Sequence, residues 1–236
     1  MSILLDAGPS LNFLAVGQQN ILVQVAASHS LQLAAPQRVD TEVEGMTNDP
    51  RFRRTAVLGT WQKLKMSGRL LILDDSLTSA ELTTAVTRIS GMPAKDRVRS
   101  RKSLGEIMVL AHATVYAQQG QQVFVLMDES DGRRRAKAEQ RWLRAQEAPG
   151  RMHLWSTPQI LHAAANQPGW IAGDLTWEAV YDQMRKFDDG LPPRSARQAE
   201  DKETAYLLRS PENARRMISS IERLEAGEGI QRNLAE

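Results

Sequence analysis

The sequence predicts a parallel α/β fold followed by a helical tail, and three observations carry that expectation. Short apolar runs alternate with helix-periodic stretches over residues 1–165, the pattern of strands joined by crossover helices. The best strand candidates, Ile3-Leu4-Leu5 and Val123 to Met127, are continuous apolar runs, as expected for strands buried on both faces. Each of them ends at an aspartate, Asp6 or Asp128, and a third run, Leu70 to Leu73, ends at Asp74-Asp75.

The elements follow in order. Ile3 to Leu5 reads as a strand, Gly8-Pro9 as a turn, and Ser10 as the cap of a helix carrying Leu11, Phe13, Leu14 and Val16. Ile21 to Ala27 is a second helix. Leu31 to Leu33 is a short strand, and Pro36 opens a helix bearing Val39, Val43 and Met46. Between Arg53 and Met66, the residues Val57, Leu58, Trp61 and Leu64 fall on one helical face that Gly68 ends. A helix begins at Thr78 or Ser79 and runs toward Gly91. Leu104 to Ala117 is the strongest helix, stopped by Gly120. A basic helix spans 132–145 and a short strand Met152 to Trp155. Thr157-Pro158 is a cap followed by proline at the first helical position, opening a helix from Gln159 to Ala165.

The C-terminal third changes character. Trp177 to Phe187 is one more helix within an added segment, 166–193. Asp188-Asp189-Gly190-Leu191-Pro192-Pro193 breaks it, and 194–203 is polar and charge-dense like a linker. Over 204–236, Thr204 to Leu208 suits a short strand, and Met217, Ile218, Ile221 and Leu224 form a single apolar stripe. A lone helix of that length needs a surface to lie on.

Composition narrows the function classes. The chain has 236 residues, 42% hydrophobic and 25% charged, with a formal charge of +2; this is ordinary for a globular protein. It has no cysteine, which removes disulfides, thiolate metal sites and cysteine nucleophiles. No apolar run approaches the ~20 residues that span a bilayer. The start meets an acid at Asp6 with no positive region before it, which argues against a signal peptide. The expectation is a cytoplasmic protein with no membrane partner.

In parallel sheets, functional groups gather at the carboxyl ends of strands. If the strands ending at Asp6 and Asp128 are neighbours, their carboxylates converge, and a helix beginning there adds Glu106. Such acids repel one another unless a cation neutralises them, and hard divalent ions take all-oxygen shells. A metal held there can activate water and stabilise charge on a phosphodiester. Taken singly, each aspartate is more often an ordinary cap or turn residue, and it is their shared position at strand ends that points to a site. Two basic runs flank the acids. Lys95, Arg97, Arg99, Arg101 and Lys102 precede Glu106; Arg133-Arg134-Arg135, Lys137, Arg141 and Arg144 follow Asp128 and Asp131. Such cations suit a nucleic-acid backbone. His29, His112, His153 and His162 have no metal-ligand spacing, and phosphate-binding glycine loops are absent.

These residues resemble a known family. Ile3-Leu4-Leu5-Asp6-Ala7-Gly8-Pro9-Ser10 is similar to the opening strand and first acid of PIN-domain ribonucleases, including VapC-like toxins. Leu104-Gly105-Glu106 with Ala111 and Ala113 resembles their central helix. Val125 to Ala136, containing Asp128, Asp131 and three arginines, resembles their later strand, acid pair and arginine-bearing helix; Ala35 to Val39 before Glu42 resembles a further acidic segment. The resemblance implies a PIN-like parallel sheet sandwiched by helices and Mg²⁺- or Mn²⁺-dependent endoribonuclease activity. It assigns catalysis to Asp6, Glu106 and Asp128, with Glu42 and Asp131 completing the metal set. Arg99, Arg101, Lys102, Arg133, Arg134 and Arg135 are the RNA-binding candidates, and a homodimer is implied. The chain departs from the family in its long charged insertion between Leu73 and Glu106, and in the Asp128-x-x-Asp131 spacing, which leaves Glu129 as the alternative to Asp131.

The tail carries a second resemblance. Glu203 to Arg216, continuing to Gly227, is similar to the toxin-binding part of Phd/YefM-type antitoxins, without their DNA-binding part. This implies a toxin–antitoxin relation in which an antitoxin-like segment, in cis or in trans, inhibits the nuclease through Tyr206, Leu207, Leu208, Met217, Ile221 and Leu224. The reading from another class is a non-catalytic α/β interaction module whose acids are caps and whose tail mediates oligomerisation.

Overall fold

The computed structural model describes residues 1–193. The linker 194–203 and the tail 204–236, with the six antitoxin-like contact residues named above, lie outside the described residues.

The architecture is α/β, as expected: five parallel strands in the order β3-β2-β1-β4-β5, flanked by helices. The strands are β1 (Ser2–Leu5), β2 (Gln32–Pro36), β3 (Leu70–Leu73), β4 (Gln122–Leu126) and β5 (Arg151–Trp155). Between and after them run α1 (Ala7–Ala15), α2 (Gln19–Ser28), α3 (Gln37–Gly45), α4 (Val57–Met66), α5 (Ala80–Ser90), the short α6 (Ala94–Arg97), α7 (Leu104–Gln118), α8 (Ser130–Ala145), α9 (Thr157–Ala165) and α10 (Trp177–Met184). Among the described residues, no helix is long and apolar enough to cross a membrane.

The central strand explains the continuous apolar run. Ile3, Leu4 and Leu5 are all buried, because β1 has a strand on either side and helices packed over it. Its register with β4 pairs Leu5 with Leu126, so the two strands finish level with each other.

Helix α7 organises the molecule. It packs against β1, β2, β4 and β5 and also against α5. Val109, Leu110, Ala113 and Ala117 belong to the main core, whereas Leu104, Ile107, Met108 and Ala111 join Leu82, Ala85 and Val86 of α5 and Ala94 of α6 in a second cluster. A helix apolar on all sides must be covered on all sides. The charged insertion between Leu73 and Glu106 supplies that second cover.

Several boundaries differ from the sequence expectation. Helix α1 begins directly after Asp6, which takes the N-cap position with extended backbone. Gly8-Pro9 therefore lies inside the first turn instead of forming a separate one, since proline loses nothing where the amide has no intrahelical partner. Ser10 does not cap; its buried hydroxyl donates to the Asp6 carbonyl at 2.7 Å. Helix α4 begins at Val57, later than Arg53. At α9 the N-cap is Ser156, one residue before Thr157, and the Gln159 side chain accepts its backbone N–H at 2.8 Å. The break after α10 packs onto the core: Leu191 is buried and belongs to the main core cluster, and Arg185 Nε donates to its carbonyl at 3.2 Å.

A candidate metal-binding carboxylate site

The level ends of β1 and β4 set the site. The Asp6 amide donates to the Leu126 carbonyl at 3.2 Å, continuing the ladder one residue past β1. The Met127 amide does the same toward the Trp155 carbonyl, leaving Asp128 just beyond the sheet edge. Asp128 is fixed from α9: one carboxylate oxygen accepts the Thr157 amide at 2.8 Å and the other its hydroxyl at 2.5 Å. Helix α7 begins at the same edge and contributes Glu106 from its first turn. Ser103 turns the chain into α7 with φ of +51°, a left-handed conformation that a serine adopts only at some energetic cost.

One cavity of about 740 Å³ collects these groups. Its wall includes Asp6, Glu42, Glu106, Asp128, Glu129 and Asp188. Of the acids expected from the sequence, Asp6, Glu106, Asp128 and Glu42 come together here. Asp131 does not line the cavity. Helix α8 begins at Ser130, which puts Asp131 on an outward-facing first turn, mostly exposed and paired with Arg134 at 3.1 Å. Glu129, at the N-cap of α8, lines the cavity in its place.

The electrostatics reflect crowding. Burial pushes the Asp6 carboxyl up to about 7; the Ala7 amide opposes this, while repulsion from Glu42, Asp128 and Glu129 adds to it. Burial, a hydrogen bond with Glu129 and repulsion from Asp6 and Glu129 push Glu106 up to about 8, with Arg135 acting in the opposite direction. Glu106 is only 7% exposed, and its buried Oε2 has no hydrogen-bond partner. A buried carboxylate oxygen without a donor is costly, and it marks where a proton or a cation belongs. Among the described residues, no group of three or more acids or histidines is arranged to hold a metal ion as it stands.

Glycine spacing protects this arrangement. A Cβ at Gly105 would lie 3.0 Å from Glu42 Cδ and closer still to its Oε2. At Gly132 it would meet the Met127 sulfur, with Glu106 Oε2 3.2 Å away. Both glycines are where side chains of the site pass against helix backbone.

The basic candidates separate into distinct roles. Arg133 donates to the Met127 carbonyl at 2.9 Å and the Trp155 carbonyl at 3.2 Å, tying the ends of β4 and β5 together. Arg134 pairs with Asp131 in solvent. Arg135 is the arginine of this run that acts on Glu106. In the other run, Arg97 is buried and donates to the Ser100 and Lys102 carbonyls, folding the loop on itself. Arg99 and Lys102 are exposed, Arg99 near Asp96 at 3.6 Å, and Arg101 lines a neighbouring cavity.

Sequence reasoning missed Asp188. It was legible only as part of a helix breaker, yet its carboxylate accepts the Asn12 amide at 2.7 Å and lines the cavity. The Arg51 guanidinium holds the same strap through the Phe187 carbonyl at 2.9 Å, and Tyr181 holds the Pro192 carbonyl, also at 2.9 Å.

Known proteins add one observation. No protein-family model matches the chain, and no solved structure matches it. A 34-residue stretch is 56% identical to antitoxin YefM of Escherichia coli (strain K12) and to antitoxin YefM of Shigella flexneri. A stretch of the same length is 56% identical to an uncharacterized protein of Synechocystis sp.. The match covers 14% of this chain and 36% to 41% of those three proteins, so the chain spans about two-fifths of the curated relatives it matches. The chain carries a segment similar to part of the YefM antitoxin.

Proposed function

We propose that this chain is a metal-dependent endoribonuclease of the PIN type, the toxin of a toxin–antitoxin pair, restrained by its antitoxin-like segment. The observation that carries the proposal is the convergence of Asp6, Glu42, Glu106, Asp128 and Glu129 on one cavity at the carboxyl edge of a parallel sheet. The unpartnered buried Glu106 Oε2 and the raised Asp6 and Glu106 carboxyls, crowded by burial and by one another, fit a centre that would take a positive counter-charge. The donor set is all oxygen, which fits Mg²⁺ or Mn²⁺. Asp6, Glu106 and Asp128 would hold the ion, with Glu42 and Glu129 beside them. The bound ion would supply an activated water and charge stabilisation at the phosphate. Thr157 fixes Asp128 and Arg135 offsets negative charge at Glu106. The similarity to YefM supports the toxin–antitoxin relation, with the antitoxin-like segment acting in cis or in trans.

The alternative, a non-catalytic interaction module whose acids are caps, is favoured by the N-cap positions of Asp6 at α1 and Glu129 at α8. Cleavage of a labelled RNA pool separates the readings. The full chain and a version ending at Pro193 are assayed with Mg²⁺, Mn²⁺ or EDTA, alongside Asp6→Asn. Metal-dependent cutting that Asp6→Asn eliminates, stronger in the shorter version, is the expected result. Absence of cutting together with absence of Mn²⁺-induced stabilisation sinks the nuclease reading in favour of the module. Equal activity of both lengths removes the inhibitory role alone.

A further inference from the structure

A second cavity, of about 540 Å³, adjoins the acidic one and shares Ala7 and Glu42 with it. Its character is different. Arg38 and Arg101 stand on its wall, with Leu11 and Met46 supplying apolar surface. Arg38 uses Nε to hold Glu42 Oε1 at 3.1 Å, while its backbone amide donates to Asp75 at 2.6 Å. Among the described residues its two Nη groups have no hydrogen-bond partner, and the exposed Arg101 guanidinium has none at all. Two arginines with donors to spare, on one cavity, select an anion with several acceptor oxygens. The apolar side selects something flat or greasy attached to that anion. Because the shared wall is Glu42, whatever occupies this cavity touches the edge of the acidic centre.

We propose that this cavity is the subsite for a nucleotide of single-stranded RNA next to the phosphate held at the acidic centre. Arg38 and Arg101 take its phosphate, and the Leu11 and Met46 surface takes its base. The assignment rests on the nuclease reading for the position of the neighbouring phosphate. Arg38 then has a double role: it orients Glu42 through Nε and offers its remaining donors to the strand. Such a site reads backbone and an unpaired base laid against aliphatic side chains, and so favours unpaired RNA over a duplex whose bases are already stacked.

The test is binding, which can be read without cleavage. The full chain is titrated with a fluorescent single-stranded RNA hexamer in EDTA, and anisotropy is followed as salt is raised. Arg101→Gln, on an exposed side chain that the fold does not need, is expected to weaken binding about tenfold. It should also reduce the slope of log K against log salt by about 0.7, the loss of one phosphate contact. Arg38→Gln should do the same, and Met46→Ala should weaken binding without changing the salt slope. Unchanged affinity and slope in both arginine variants overturn the subsite, even where the wild-type chain cuts RNA with Mn²⁺. No hexamer binding by either the full wild-type chain or the version ending at Pro193 overturns it too, as does equally arginine-dependent binding of an acidic peptide such as poly-glutamate. If the hexamer binds in the expected way but no metal yields cleavage, the subsite stands as an RNA-binding cavity and the nuclease reading alone fails.

Discussion

The first turn of α7 passes so close to Glu42 that residue 105 has space for a hydrogen and no more: a Cβ on Gly105 would overlap the Glu42 carboxylate. Gly105 does not have a left-handed backbone, so alanine suits the helix itself and is favoured there by up to ~1 kcal/mol. The clash falls on the movable end of a half-exposed side chain. Gly105→Ala is therefore expected to leave the melting temperature within a few degrees of wild type while displacing Glu42. Metal-dependent RNA cleavage should fall about tenfold or more, since an ångström-scale misplacement at a reacting centre is costly. Calorimetry and cleavage on the same preparation check both halves. A large loss of stability, or unchanged cleavage, would show that the close approach does not serve the site.

Asp6 and Glu106 predict an unusual pH dependence. In the unfolded chain these carboxyls titrate near 4, whereas in the fold they hold their protons up to about 7 and about 8. Between those limits the folded state binds more protons than the unfolded one, so stability falls as pH rises. Below pH 4 both states are protonated and the penalty vanishes. In EDTA the melting temperature should decline from pH 5 to pH 9, by an amount corresponding to a few kcal/mol. A bound Mn²⁺ favours the ionised forms, so it should stabilise most at the alkaline end and bind more tightly as pH rises. A flat EDTA profile would mean that the two acids do not share a crowded centre.

Asp6→Asn follows from the same balance. The amide keeps the shape of the carboxyl but carries no charge, so it relieves repulsion toward Glu42, Asp128 and Glu129. Stability at pH 8 in EDTA should be equal to wild type or higher, with a shallower pH profile. Cleavage should be abolished. Denaturant midpoints at pH 6 and pH 8, measured beside the RNA assay, decide the matter; destabilisation at pH 8 would contradict it.

The strands were legible because a buried parallel strand must be apolar throughout, and Asp6 and Asp128 stand out as the polar residues where two of those runs end. What failed were the one-residue offsets. Ser10 looks like a cap because Gly8-Pro9 looks like a turn, but the first helical turn accepts both residues. The sequence leaves Asp131 and Glu129 as alternatives; the start of α8 at Ser130 turns Asp131 to solvent and leaves Glu129 lining the cavity. Arg133 reads as an RNA-binding candidate because charge in a sequence does not reveal that its guanidinium finds the Met127 and Trp155 carbonyls. Asp188 was beyond reach for a different reason: its partner Asn12 lies 176 residues away, and nothing local encodes that meeting.

Asp128 depends on Thr157 for its orientation, and this yields a prediction that separates positioning from chemistry. The threonine hydroxyl donates to one carboxylate oxygen and its amide to the other, in a setting where Thr157 is fully buried. Thr157→Val keeps the volume and the amide bond but removes the hydroxyl. A buried hydrogen bond to a charged group contributes roughly 1.5–3 kcal/mol, so a loss of that order is expected in the absence of metal. Mn²⁺ should restore part of it, because the ion replaces the missing donor at the carboxylate. Apparent Mn²⁺ affinity should fall about tenfold or more, as for other groups that orient a metal ligand, with cleavage at saturating metal reduced much less. Thr157→Ser retains the hydroxyl and should recover the affinity. If Thr157→Val binds Mn²⁺ like wild type and only melts earlier, Thr157 supports the fold at the head of α9 and does nothing for the metal.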